Sequence, residues 1–460
     1  MNENTSIKTI FTKLMIDKVP SYANKFFYSL GFLSMICFLM LIVTGVIMVS
    51  YGPSWWLTSS YGQYLRSVHL WATQGFVFFI LLHLIIVFLS SGFKKPRRLT
   101  WVVGALMFFF VMAEAEFGYV LRGDYSSQYR ALQGADLFNG AGIGGFLNEL
   151  NFRQIYGIHI VVVPLIIIGL LFVHYVLIKA RGIAKPYKKD VSYRMVNANH
   201  NLLFIRGGIL TISLLILAWL LPSPYLAPIT IQQIAQQDPS LSNQTLITEF
   251  TKTSGTATYL DNIDPYSKFD TKSVFIDTPY IKYVQSAKLK NYLKIYNSNN
   301  SLIQQSQVLQ ASDYFNNKIK RPINNSVVNI IESLTLMSQA GTYETALIYE
   351  NPSGDQSTYI TRYLSDTGVL SVRADELGIT TAKYGMLKEE TSSFPLGAWW
   401  LAPIGILNHT ILANDNNSDR DGAIIIGLLV MLMIAYPFIP GLNVLPDKIH
   451  FYKIIWRDKK

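Results

Sequence analysis

Four histidines fall as two pairs inside long apolar runs: His69 with His83, and His159 with His174. The members lie 14 and 15 residues apart, which at about 1.5 Å of rise per residue separates them by roughly 21–22 Å, close to four helical turns. Both imidazoles of a pair can therefore face the same way. A lone buried histidine is more often a hydrogen-bonded packing residue than a ligand. Two membrane helices that each carry two histidines at matched depth are a different case, because polar groups inside a span are costly and mark function. The pattern predicts two stacked ligand levels, and two hemes, one near each membrane face, fit it. Glycines repeat the interval: Gly31 and Gly45 in one run, Gly104 and Gly118 in another, are each 14 residues apart. Glycines in membrane helices usually let backbones approach; at this spacing they leave room for a porphyrin edge at two levels. His69 with His159 would ligate the outer heme and His83 with His174 the inner one. Two histidines per iron leave no open position, which favours electron transfer over oxygen chemistry. Arg66, one turn before His69, suits a heme propionate or an interfacial anchor.

The elements that must position these residues are membrane helices. The chain has 460 residues, 50% hydrophobic and only 15% charged, too apolar for a soluble enzyme of this length. Runs long enough to span occur near 27–50, 67–90, 101–121, 155–178, 205–221 and 423–439, at about 20 residues each. The expected fold is all-α and membrane-integral, with a four-helix diheme core from the first four runs and two further transmembrane helices. The single cysteine, Cys37, excludes an internal disulfide, a thiolate-ligated iron–sulfur cluster and a Cys-x-x-Cys-His heme attachment. The net charge of +10 does not point to nucleic acid, because the basic residues cluster beside apolar runs, where they set topology and attract anionic lipid. Such clusters occur before the first run (Lys8, Lys13, Lys18, Lys25), at Lys94-Lys95-Pro96-Arg97-Arg98, and at Lys179, Arg181, Lys185, Lys188, Lys189 and Arg194. The positive-inside rule makes these regions cytoplasmic. His69 and His159 then lie near the outer face of a multi-pass plasma-membrane protein, with both termini inside. No removable signal peptide is expected.

Residues 1–26 read as a cytoplasmic leader, 27–187 as the diheme core, and 188–222 as a cytoplasmic loop and fifth helix. From 223 to 393 the composition turns to Ser, Asn, Gln, Thr, Tyr and Lys. This is an extracytoplasmic insert domain, α-rich or mixed, with helices expected over 280–296 and 327–339 and a turn at 351–354. It carries no catalytic motif. Residues 394–440 hold a short interfacial helix, interrupted by Pro403 and Gly405, and the sixth span; 441–460 form a basic cytoplasmic tail.

Residues 25–187 resemble the N-terminal half of cytochrome b from quinol-oxidising bc and bf complexes, the short bf form in particular. The matching stretches are Leu65-Arg66-Ser67-Val68-His69, Gly92-Phe93-Lys94-Lys95-Pro96-Arg97 with Leu99-Thr100-Trp101, Gly118-Tyr119-Val120-Leu121, and His159 and His174 followed by Lys179 and Gly182-Ile183. The resemblance implies two b hemes, a quinol-oxidation site outside and a quinone-reduction site inside. It also implies a Rieske iron–sulfur protein and a c-type cytochrome or equivalent acceptor as partners, and a homodimer. The chain departs from the family in three places. The cysteine that tethers an extra heme in the bf form is matched by Ser29, so no covalent heme is expected. Aligning on Trp399 and Pro403 puts Gly397-Ala398-Trp399-Trp400 where the family has Pro-Glu-Trp-Tyr, so alanine replaces the quinol-site glutamate. Leu121-Arg122-Gly123 replaces Leu-Pro-Trp, which alters the docking region of the Rieske partner.

Quinol oxidation needs a proton acceptor. Glu116, or its neighbour Glu114, would replace the missing glutamate; the other reading pairs both with Arg122 or Arg130 as a structural cluster. At the inner site His200, beside Asn201, would pass protons to a reduced quinone, or be a surface histidine. Three functions stand open: the cytochrome b subunit of a quinol-oxidising complex, a diheme quinone-linked conduit without a Rieske protein, or a non-redox anchor for the outer domain. Depth-matched histidines have no use in a plain anchor.

Overall fold

The computed structural model describes residues 16–184, 194–260, 269–351, 358–390, 396–415 and 417–450. Lys8, Lys13, Lys185, Lys188, Lys189, most of the 351–354 turn and the tail beyond 450 lie outside them. Along the chain run α1 (Leu30–Tyr51), α2 (Ser60–Leu89), α3 (Arg98–Val120), α4 (Tyr125–Gly140), α5 (Phe152–Arg181), α6 (His200–Leu220) and α7 (Ser418–Ala435). All but the polar α4 are long and apolar enough to cross a membrane. The expected all-α membrane fold is what the chain adopts.

Local chemistry sets the helix ends. Gly52, at φ +81°, and Pro53 stop α1, and Gly182, at φ +71°, stops α5. Both take a left-handed backbone that glycine enters without a Cβ penalty. Asn151 opens α5 by accepting from the Gln154 amide at 3.0 Å, and Asn199 opens α6 by accepting from Leu202 at 2.9 Å; each cap satisfies a donor with no intrahelical partner. The strands among the described residues are Lys18–Pro20 and Met195–Asn197, paired antiparallel.

The chain divides into two compact units. The first holds Met1–Glu116, His159–Ser223 and Ile425–Lys460. In it α2 packs along α1 and α6; the Trp71 indole donates to the Leu221 carbonyl at 2.9 Å, and the Trp101 indole to that of Met433 at 2.7 Å. These bonds give buried indole N–H groups acceptors they would otherwise lose in lipid.

The second unit holds Phe117–Ile158 and Pro224–Ile424. Its core is a set of short helices around Phe275, Ile331, Tyr343 and Tyr363, all fully buried, with Tyr125 of α4 joining them. Each such side chain contributes about 1.5–3 kcal/mol. Tyr343 donates to the Phe275 carbonyl at 2.8 Å and Tyr125 to that of Leu370 at 2.5 Å. The helix expected over 280–296 is two, Thr278–Tyr283 and Ala287–Ser298, because Ser286 takes an extended backbone and caps the second. Residues 396–413 hold a 3-10 turn, Trp399–Leu401, and the eight-residue helix Ala402–His409.

Candidate heme and quinol sites

α2 and α5 bring His69 and His159 together, with ring centres 6.4 Å apart and planes at 68°. An imidazole nitrogen bonds a transition metal at about 2 Å and lies about 1.1 Å from its own ring centre, so two rings on opposite sides of one metal stand roughly 6.2 Å apart. The observed 6.4 Å leaves room for one metal between the two rings. Each Nδ1 has an oxygen close by. Thr44 Oγ1 lies 2.7 Å from both the Met40 carbonyl and His69 Nδ1. Its one proton goes to the carbonyl, so it accepts from Nδ1–H, which leaves the His69 Nε2 lone pair for a metal. On the other side His159 Nδ1 stands 3.1 Å from Glu114 Oε1.

The 14 and 15 spacings are reconciled within α5. At about 100° per residue, 14 residues end roughly 40° short of four turns and 15 end 60° past them. Ile158–Val162 forms a π-helical turn, which inserts one residue without changing face. Pro164 follows it and lacks the N–H that a regular turn would offer to the Ile160 carbonyl. With the insertion absorbed, His174 returns to the face of His159.

Three of the four glycines border these rings. A Cβ on Gly45 would come 3.6 Å from His69 Cε1, one on Gly31 3.5 Å from His83 Cε1, and one on Gly104 3.2 Å from His174 Cε1. Gly118 lies in α3, 14 residues beyond Gly104. Arg66 is buried on α2, at 8% exposure. The residues present fit two hemes held by histidine pairs, with glycine leaving space beside each ring.

A family model described as "Cytochrome b(N-terminal)/b6/petB" matches residues 74–239. Cytochrome b6 of Prochlorococcus marinus (strain NATL1A) is 30% identical over 207 residues, covering 40% of this chain and 94% of the relative. The chain belongs to the cytochrome b family. Cytochrome b6 of Heliobacterium modesticaldum is 28% identical over 190 residues, 36% of this chain and 89% of that protein. A chain from "Hyperthermophilic respiratory Complex III" aligns over 97% of this chain and 98% of its own at 15% identity and a TM-score of 0.43, too distant to carry an argument. As a cytochrome b, the protein is a multi-pass membrane electron-transfer subunit that uses heme b and works with other subunits of a quinol oxidoreductase complex.

The family's tethering position shows what replaces it. Ser29 is fully buried, and its Oγ accepts from the Arg206 guanidinium. Cys37 is buried in α1, and a Cβ on Gly75 would come 3.0 Å from its sulfur.

Around the altered quinol motif, Ala398 is fully buried, Trp399 is half-buried and stacks edge-on against Trp400 at 5.9 Å. Gly397 is required, because a Cβ there would overlap the Lys388 and Met386 carbonyl oxygens. Glu116 is half-buried near the end of α3. His200 is the half-buried first residue of α6.

Arg122 stands among acids of its own unit. It reaches Asp124 at 2.9 Å, Glu389 at 2.5 Å and Glu390 at 3.5 Å, while Tyr119 donates to Glu389 at 2.8 Å and the Arg130 guanidinium covers the Tyr119 ring. Burial opposes the Arg122 charge, but Asp124 and Glu389 hold its pKa well above the usual value. Burial, then Asp124, pushes Glu390 up to about 8, against the pull of Arg122. Sequence reasoning missed Glu389 and Glu390; the signal was an acidic pair shortly before the altered motif.

Proposed function

We propose that this cytochrome b passes electrons from quinol across the membrane through two non-covalent b hemes, one held by His69 and His159, the other by His83 and His174. The 6.4 Å ring separation of the first pair is the observation that carries this reading. Bound there, the hemes supply reversible one-electron transfer at two depths. Thr44 and Glu114 fix the outer pair's ring orientation, and the apolar helices keep water from it. The absence of a tether rests on Ser29, which is engaged with Arg206. Of the α3 acids, Glu114 faces His159, and Glu116 is assigned to proton acceptance at the outer quinol site; Trp399 is assigned to that site and His200 to protonation of quinone at the inner face.

A Rieske protein and a c-type cytochrome or equivalent acceptor complete the complex, in a homodimer at the plasma membrane. The buried, ion-paired Arg122 in place of the family's proline favours a second reading, a diheme conduit with no Rieske protein. Heme counts test the assignment. The purified chain should give two acid-acetone-extractable b hemes by pyridine hemochrome, and His159→Ala or His174→Ala one each. A full complement in either variant would refute its ligand assignment.

A further inference from the structure

Glu114 stands on an apolar helix, where an ionisable side chain costs on the order of a few kcal/mol. Such a cost is larger than a surface ion pair returns, so its placement calls for a specific partner. That partner is His159: Glu114 Oε1 lies 3.1 Å from Nδ1, and Oε2 is buried with no hydrogen-bond partner among the described residues. The carboxylate therefore stands at ion-pair distance from one group, His159 Nδ1, a buried atom that itself makes no aligned hydrogen bond among the described residues. The opposite ring meets only a hydroxyl, that of Thr44. The two histidines of this level thus have chemically unequal neighbours, a hydroxyl and a carboxylate.

We infer that Glu114 is a positioning residue that lowers the reduction potential of the iron held by His69 and His159. A carboxylate charge held beside an imidazole makes that ring a more basic ligand. A more basic ligand stabilises ferric over ferrous iron, and hydrogen bonding beyond the ligands is one of the protein's levers on heme potential. Glu114 touches no reacting atom; it works through the His159 ring, by charge and by orientation. This rests on the two-histidine reading above.

Redox titration of the full chain, followed in the heme α-band between dithionite and ferricyanide, reads the effect. His159→Ala identifies which of two one-electron waves belongs to this level. Glu114→Gln should keep both hemes and raise the midpoint of that wave, so that at the wild-type midpoint the ferrous-to-ferric ratio rises about tenfold, equal to about 59 mV for one electron. The other wave should stay in place. Glu114→Asp retains the charge and should titrate within about threefold of wild type, and it decides the matter if the glutamine variant fails to hold heme. Two unmoved waves in Glu114→Gln, or an aspartate variant shifted as far as the glutamine one, would overturn the inference. Retention of both hemes by His159→Ala would instead overturn the ligand assignment beneath it.

Discussion

Glu114 and Glu116 are two residues apart, so on a helix they project about 160° apart and do not face each other. With Glu114 turned to His159, helix geometry sets the Glu116 position on the other side of α3. This separation gives the two acids distinct phenotypes. Glu116→Gln should slow quinol-driven heme reduction on the order of 10²-fold, the range lost with a general base. It should leave heme content and both midpoints unchanged. Stopped-flow mixing of the purified complex with reduced quinol measures the rate, and a wild-type rate would reassign the proton acceptor. The glycines act at the same scale: beside His174 a methyl on Gly104 would leave 3.2 Å, tighter than at Gly31 or Gly45, so Gly104 is the least replaceable of the three.

Between elements, the second unit stores a different kind of acid. Glu249, at the end of helix Pro239–Thr251, is fully buried, with Ser254 donating to it at 2.7 Å. Burial, and then the Asp366 carboxylate, push its pKa up to about 10, against about 4.3 in an unfolded chain. Between those values the folded protein keeps a proton that the unfolded chain has released. The stability this group lends is complete below about pH 4.3 and is lost as pH rises toward 10, by at most about 1.4 kcal/mol per pH unit. Glu249→Gln cannot ionise, so thermal melts of the full chain should fall less between pH 6 and pH 9 than those of wild type; an equal fall would show that Glu249 is not the titrating group. The elements themselves were largely legible in sequence: apolar runs gave the six long helices, and histidine spacing named the residues that meet at 6.4 Å. What was hidden depends on tertiary contact or on bonding that composition does not encode. The π-turn at Ile158–Val162 was visible only as a spacing of 15 and a nearby Pro164. The partner of Glu114 lies 45 residues away on another helix, and Arg122 meets Glu389 across 267 residues. In the insert, Ser286 broke a helix that apolar periodicity alone ran through.

For the whole molecule, the side of the membrane on which each segment lies decides which histidine pair meets quinol first. Basic residues flank α2, α3 and α5 at the ends carrying Lys94, Arg97, Arg98, Lys179 and Arg181, and the charge rule predicts that those ends lie inside. The result depends on how many times the chain crosses. A seventh crossing through 396–413 would send the C-terminal end outside, yet the helix there, Ala402–His409, has eight residues, roughly 12 Å of length against a hydrocarbon core of about 30 Å. Six crossings leave Lys448, exposed after α7, on the same side as the leader, and Lys288, exposed in the insert, on the other. In a Cys37→Ala background, Lys288→Cys should react with a membrane-impermeant maleimide in intact cells, where an outer membrane is first made leaky. Lys448→Cys should react only after the inner membrane is opened. Labelling of both from outside would mean that 396–413 crosses after all; the reverse pattern would invert the chain, placing His83 and His174, rather than His69 and His159, beside the outer face.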